Sequence, residues 1–142
     1  MKRIYIPYLI ALLLLFLFVY TASSKLMDFD HFRVQMLRQS FPHAVAKILI
    51  YTLPGTELVV AVLLLIPKTR LWGFYMALVL MMLFTGYTGL VLAHFFGQVP
   101  CSCGGVLKNM GWTTHFVFNL FFLLLTVTGI YITYRERRRS GK

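Results

Sequence analysis

Four long apolar blocks limit what this 142-residue chain can fold into. They cover residues 4–22, 48–66, 71–93 and 113–134. Each is about 19–23 residues long, close to the ~20 helical residues that span the ~30 Å hydrocarbon core of a bilayer. Because 59% of the residues are hydrophobic and only 13% are charged, a soluble domain would lack a polar shell. We therefore predict a single domain, residues 1–142, that folds as an all-α bundle of four transmembrane helices.

The distribution of Lys and Arg predicts the orientation of this bundle. Four spans place both termini on one side, together with the loop between spans two and three and the basic tail at 135–142. That side carries nine of the Lys and Arg residues and the other side carries five. The positive-inside rule makes the first side cytoplasmic. Basic residues that flank spans suit a lipid bilayer and argue against a nucleic-acid partner. We expect a multi-pass protein of a bacterial inner membrane, with the loop between spans three and four in the periplasm.

A short amphipathic helix is predicted between spans one and two. Leu26, Phe29, Phe32 and Met36 recur at three- and four-residue steps, with charged and polar residues between them. Pro42 predicts the end of this helix, because the residue before a proline avoids the helical region. We expect a periplasmic helix that either packs on the end of the bundle as a lid or offers a docking face.

Glu57 is an ionisable residue inside an apolar block. It lies about nine residues into span two, which is roughly 14 Å deep at 1.5 Å per residue. Such residues are costly in a membrane and are candidates for function. One hypothesis is a proton relay. The other is a protonated carboxyl that bonds to Thr85, Tyr87 or Thr88 on a neighbouring helix.

Span four opens with three polar or amphipathic residues. Trp112 is placed at the depth of the membrane interface, where tryptophan is common. His115 and Asn119 are four residues apart, so they share one helix face, with Asn119 one turn deeper. Hydrogen bonding between helices is the simpler interpretation of Asn119.

Both cysteines of the chain lie in the stretch QVPCSCGGV, before span four. Residues i and i+2 of an extended chain are about 7 Å apart, whereas a disulfide requires Cα atoms about 4.4–6.8 Å apart. A bond between Cys101 and Cys103 therefore needs a bent backbone and is expected to be strained. It would close almost no loop, so it is a poor staple. Strained, exposed disulfides are the oxidising and labile ones.

A metal site is an alternative use of these thiols. His94 and His115 flank the cysteines, and two thiolates with two imidazoles suit Zn²⁺. Met110 nearby would favour Cu(I). The CxC spacing is shorter than the usual spacing of zinc ligands, so a redox pair is favoured over a metal site.

A redox pair on the outer face needs a route for its electrons. A soluble thioredoxin-like protein is one route and a membrane quinone is another. His94, Gln98 and His115 are the nearest side chains able to carry protons or to bond a quinone, and we place Trp112 and Asn119 in the same quinone vicinity.

Several segments together resemble a known family. They are KLMDFDHFRVQMLRQSFP, LPGTELVVAVLLL with Glu57, PCSCGG, and GWTTHFVFN. The pattern resembles the MauE branch of the DoxX-like membrane proteins, in the form common in Bacteroidota, over nearly the whole chain. The resemblance implies a four-helix membrane bundle associated with redox or disulfide metabolism. MauE is linked to methylamine utilisation, where it is thought to help form disulfides of the methylamine dehydrogenase small subunit, and DoxX-like relatives are tied to thiosulfate–quinone oxidoreduction.

The topology is also similar to that of disulfide-forming membrane enzymes of the DsbB and vitamin K epoxide reductase kind. Those enzymes use CxxC motifs and further cysteines, and this chain has neither. With one pair, it cannot pass electrons between two internal dithiols.

Three functional hypotheses follow. In the first, the protein is a thiol–disulfide oxidoreductase in which Cys101 and Cys103 react with a periplasmic thioredoxin-like or disulfide-bearing partner. His115, His94 and Glu57 would then carry protons. In the second, the chain is a non-catalytic subunit of a larger envelope complex, and the disulfide shapes a docking loop. In the third, it is a metal-handling membrane protein.

Overall fold

The computed structural model describes residues 5–38, 42–93 and 112–141, and these ranges contain helices and no strand. The helices are α1 (Tyr5–Met27), α2 (Phe29–Leu37), α3 (His43–Leu65), α4 (Arg70–Leu92) and α5 (Trp112–Ser140). All except α2 are long and apolar enough to cross a membrane. The prediction of an all-α bundle with four apolar helices and one short helix is therefore confirmed. The side of the membrane that each terminus occupies stays a prediction.

Each long helix buries one stripe of side chains and exposes the rest. On α1, Ile10, Leu14 and Phe18 are buried at four-residue steps, while Leu13 and Phe16 face outward. A soluble protein would cover such side chains, whereas lipid accepts them. The exposed apolar faces are therefore the surface that contacts the acyl chains.

The four long helices pack as two connected pairs. Helix α1 packs against α3 and α5, and α4 packs against the same two helices. Helices α4 and α5 run antiparallel, because Gly89 lies against Phe116 near one end of the pair and Phe74 lies against Gly129 near the other. Small residues let membrane helices approach closely, and Gly129 does so here.

Helix α2 follows α1 after Asp28 and packs on α3. Phe32 and Met36 are buried against Ile50 of α3, and the rings of Phe29 and Tyr51 are 5.9 Å apart. Three residues of the predicted apolar stripe, Phe29, Phe32 and Met36, thus cover the N-terminal half of α3, as expected for a lid on the bundle. Leu26, the fourth, belongs to α1 and is exposed.

The turn between α3 and α4 lies at the end of the bundle opposite α2, and side chains of α1, α4 and α5 meet there. Arg70 is 9% exposed, and its Nε donates a hydrogen bond to the Leu64 carbonyl oxygen at 3.2 Å. Its guanidinium carbon lies 4.0 Å from the centre of the Tyr8 ring, a cation–π contact. Arg137 of α5 donates to the Lys68 carbonyl oxygen at 3.3 Å. Basic side chains therefore hold α1, α4 and α5 together at this end.

Candidate functional site

A buried ion pair joins the last turn of α1 to the middle of α3. The Lys25 Nζ lies 2.8 Å from Oε1 of Glu57 and 3.1 Å from Oε2. The side chain of Glu57 is 1% exposed and that of Lys25 is 13% exposed. The ring of Phe32 from α2 lies beside the ammonium, with its centre 5.9 Å from Nζ. One lysine therefore binds both carboxylate oxygens in a nearly dry environment.

The local sequence explains why these two charges meet. Glu57 shares its face of α3 with Val60 and Ala61, which are three and four residues further on and belong to the core. Ala22 occupies the corresponding inner face of α1 and is fully buried. Lys25, three residues later, therefore also points towards α3, and its aliphatic stem follows the apolar surface while the ammonium reaches the carboxylate.

Lys25 is not among the partners predicted for Glu57. The Thr88 hydroxyl donates to the carbonyl oxygens of Phe84 and Thr85 within its own helix. The Thr85 hydroxyl has no hydrogen-bond partner among the described residues. Lys25 is not among the residues that the sequence predicts for the site. It follows the first apolar block and resembles a basic residue of the flanking loop, although α1 continues to Met27.

His115 brings a third ionisable group to the same region. It lies in the first turns of α5 and is half-buried, and it is close enough to the Lys25 ammonium for the two to interact electrostatically. We call Lys25, Glu57 and His115 the polar cluster. It draws one residue from each of α1, α3 and α5 and thus connects three helices.

The polar cluster lies at the end of the bundle where α4 ends and α5 begins. Gly89, near the end of α4, contacts Phe116, which directly follows His115. The chain between these helix ends contains Cys101 and Cys103. Both cysteines lie outside the described residues, as do His94 and Gln98. Trp112 is the first residue of α5.

Asn119 lies one helical turn beyond His115. It is 5% exposed, and its Nδ2 has no hydrogen-bond partner in the described part of the chain. The hydrogen bond between helices that we expected for Asn119 stays a prediction.

The structure pairs Glu57 with Lys25, and Lys25 also interacts electrostatically with His115. Asn119 lies one turn beyond His115 on α5. The structure contains no group of three or more His, Cys, Asp or Glu side chains that could hold a metal ion within residues 5–38, 42–93 and 112–141. The ligands of the metal hypothesis lie mostly in the segment between α4 and α5, so that hypothesis gains no support from the polar cluster.

Comparison with known proteins agrees with this architecture. No curated protein and no solved structure matches the chain. A family model described as methylamine utilisation protein MauE matches residues 3–132. The match includes α1, α3, α4, the segment with both cysteines and α5 as far as residue 132. A match of this extent over an all-helical membrane bundle shows the family. The chain belongs to the MauE family of membrane proteins, which is related to methylamine utilisation.

Proposed function

We propose that this protein is a thiol–disulfide oxidoreductase of a bacterial inner membrane, acting on a periplasmic partner through Cys101 and Cys103. The observation that carries the proposal is the polar cluster. Three ionisable side chains lie at the end of the bundle from which the cysteine-bearing segment leaves α4 and enters α5. Exchange between thiols and disulfides needs proton transfer and charge stabilisation close to the reacting sulfurs.

The proposed exchange has two steps. A thiolate of the partner attacks the Cys101–Cys103 disulfide, forms a mixed disulfide and releases the other cysteine as a thiolate. The second thiolate of the partner then attacks the mixed disulfide. The partner is oxidised to a disulfide, and the cysteine pair gains two electrons. Two protons complete the reduced pair, and a membrane quinone that takes up two electrons and two protons regenerates the disulfide.

In this proposal, the polar cluster supplies the groups that carry protons for the cycle. His115 is the group best placed to donate or accept a proton near the membrane surface, and His94 is proposed to assist it. Lys25 contacts the carboxylate of Glu57 and interacts electrostatically with the imidazole of His115. A change in the charge of Glu57 would thus alter the interaction of Lys25 with His115.

A non-catalytic role within a larger envelope complex is the second candidate. Lys25 already binds both oxygens of Glu57. This favours the non-catalytic role, because the carboxylate is fully occupied by a structural contact. A pair of this kind is also suited to fixing helix positions. In this role, the disulfide would shape a docking surface and would not be reduced and re-formed.

Trapping of a mixed disulfide separates the two candidates. In Cys101→Ser and Cys103→Ser variants, the remaining thiolate can attack the disulfide of the oxidised partner, which is the reverse of the exchange above. No neighbouring cysteine can then displace the partner, so the mixed disulfide should persist. We expect one of the two variants to give a higher-mass adduct on non-reducing gels that disappears with reductant. The Cys101→Ser/Cys103→Ser double variant is the control and should give none. Absence of an adduct from both single variants at native expression levels would favour the non-catalytic role.

A further inference from the structure

Two buried residues of α4 and α5 each carry a polar side-chain atom that lacks a hydrogen-bond partner. These atoms are Oγ1 of Thr85 and Nδ2 of Asn119, and neither finds a partner within the described ranges. Thr85 is 8% exposed and Asn119 is 5% exposed. Buried polar groups are normally bonded, and an unbonded one calls for a ligand, an ion or a water. The cost of such atoms is greatest in a membrane interior, where solvent offers no alternative.

The two atoms lie at the same level of the bundle. Helices α4 and α5 are antiparallel, and Gly89 contacts Phe116. Thr85 is four residues before Gly89 and Asn119 is three residues after Phe116, so each is about one turn from that contact in the same direction. Both side chains face inward. Thr85 also shares its face of α4 with Gly89, and Asn119 shares its face of α5 with Phe116. Both atoms therefore lie on the sides of α4 and α5 that face each other.

Aromatic rings border Asn119 on its own helix. Phe116 and Phe122 are three residues before and after it, so they lie on the same side of α5, one turn to either side. The Phe122 ring is also 4.8 Å from that of Phe118 and 5.5 Å from that of Phe121. A polar amide between aromatic rings suits a flat ring that carries a hydrogen-bond acceptor.

We infer that Thr85 and Asn119 bind a carbonyl oxygen of a membrane quinone whose ring lies among the phenylalanines of α5. The role of this quinone as electron acceptor rests on the proposed function, whereas its binding does not need the cysteines. A buried water offers the same acceptor chemistry. If the site holds a quinone, added quinone should bind there. If it holds water, the polar side chains should instead stabilise the ligand-free fold.

Titration of the purified protein with a short-chain ubiquinone, followed by native mass spectrometry, tests this inference. We expect Thr85→Val and Asn119→Leu each to weaken binding at least about tenfold, because each removes a hydrogen bond in a dry site. Thr85→Ser keeps the hydroxyl and should bind like the wild type. Thr88→Val is the matched control on α4, since Thr88 is buried but its hydroxyl already bonds within the helix.

Stability of the ligand-free protein gives the second measurement. Removing an unbonded polar atom should leave resistance to unfolding unchanged or raised in Thr85→Val and Asn119→Leu. Loss of stability in both, without quinone binding to the wild type, would mean that the site holds water and would overturn the inference. Equal binding by the wild type and both variants would also overturn it. Repeating the titration on the Cys101→Ser/Cys103→Ser double variant separates the two proposals, because binding should persist there even if thiol exchange is absent.

Discussion

Replacing Lys25 with methionine should lower the free energy of unfolding by about 3–5 kcal/mol, the usual cost of removing one partner from a buried ion pair. Methionine keeps the length and the apolar stem of the side chain but removes the ammonium that binds both oxygens of Glu57. The carboxyl is 1% exposed, so water cannot replace the lysine without opening the bundle. Unfolding by sodium dodecyl sulfate in mixed micelles, followed by circular dichroism, measures the loss.

Two further variants show whether the loss comes from the pair. The Lys25→Met/Glu57→Met double variant should recover most of the stability, because apolar replacement of both partners of a buried pair is often neutral or stabilising. Lys47→Met is the matched control, since Lys47 is exposed on α3, and its effect should stay within about 0.5 kcal/mol. If Lys25→Met and Lys47→Met behaved alike, the ion pair would not stabilise the fold.

Replacing Gly73 with alanine should destabilise the bundle by about 1–3 kcal/mol, the range for overpacking a close contact. A Cβ at this position would lie 2.9 Å from the Leu64 backbone nitrogen and 3.0 Å from the Leu63 carbonyl carbon. Backbone atoms at the turn between α3 and α4 cannot move aside as a flexible side chain can. The two helices would therefore have to separate, which detergent unfolding of the variant detects.

Gly86→Ala is the matched control for this substitution. Gly86 lies on the same helix, and a Cβ there meets nothing within 4 Å. Alanine favours a helix over glycine by about 0.8–1.0 kcal/mol, so this variant should be more stable than the wild type. Equal effects of Gly73→Ala and Gly86→Ala would contradict the close approach of α3 and α4.

The helical architecture could be predicted from the sequence because length and hydropathy are local properties. Apolar blocks of about 20 residues predict membrane helices wherever they occur, and the three- and four-residue spacing of Phe29, Phe32 and Met36 predicts the short helix before α3. The importance of Glu57 was also visible, since a carboxyl within an apolar block is costly in lipid.

The partner of Glu57 could not be predicted in the same way. A lysine just beyond an apolar block looks like any basic residue in a loop that flanks a membrane span. Only the antiparallel register of α1 and α3, which brings residues 25 and 57 to one level, distinguishes Lys25 from Lys47. The unbonded atoms of Thr85 and Asn119 likewise depend on which faces of α4 and α5 meet. Such pairings join residues far apart in the chain, and periodicity within one helix does not determine them.

A redox titration of the wild-type protein tests the proposed function most directly. The thiols of Cys101 and Cys103 are trapped at a series of buffered potentials, and their oxidation state is determined by mass spectrometry. Thioredoxin titrates at about −270 mV and the strong oxidant DsbA at about −120 mV. A strained pair that oxidises a partner should have a midpoint well above about −200 mV. A disulfide that stays oxidised below about −300 mV, as structural disulfides do, would contradict the account.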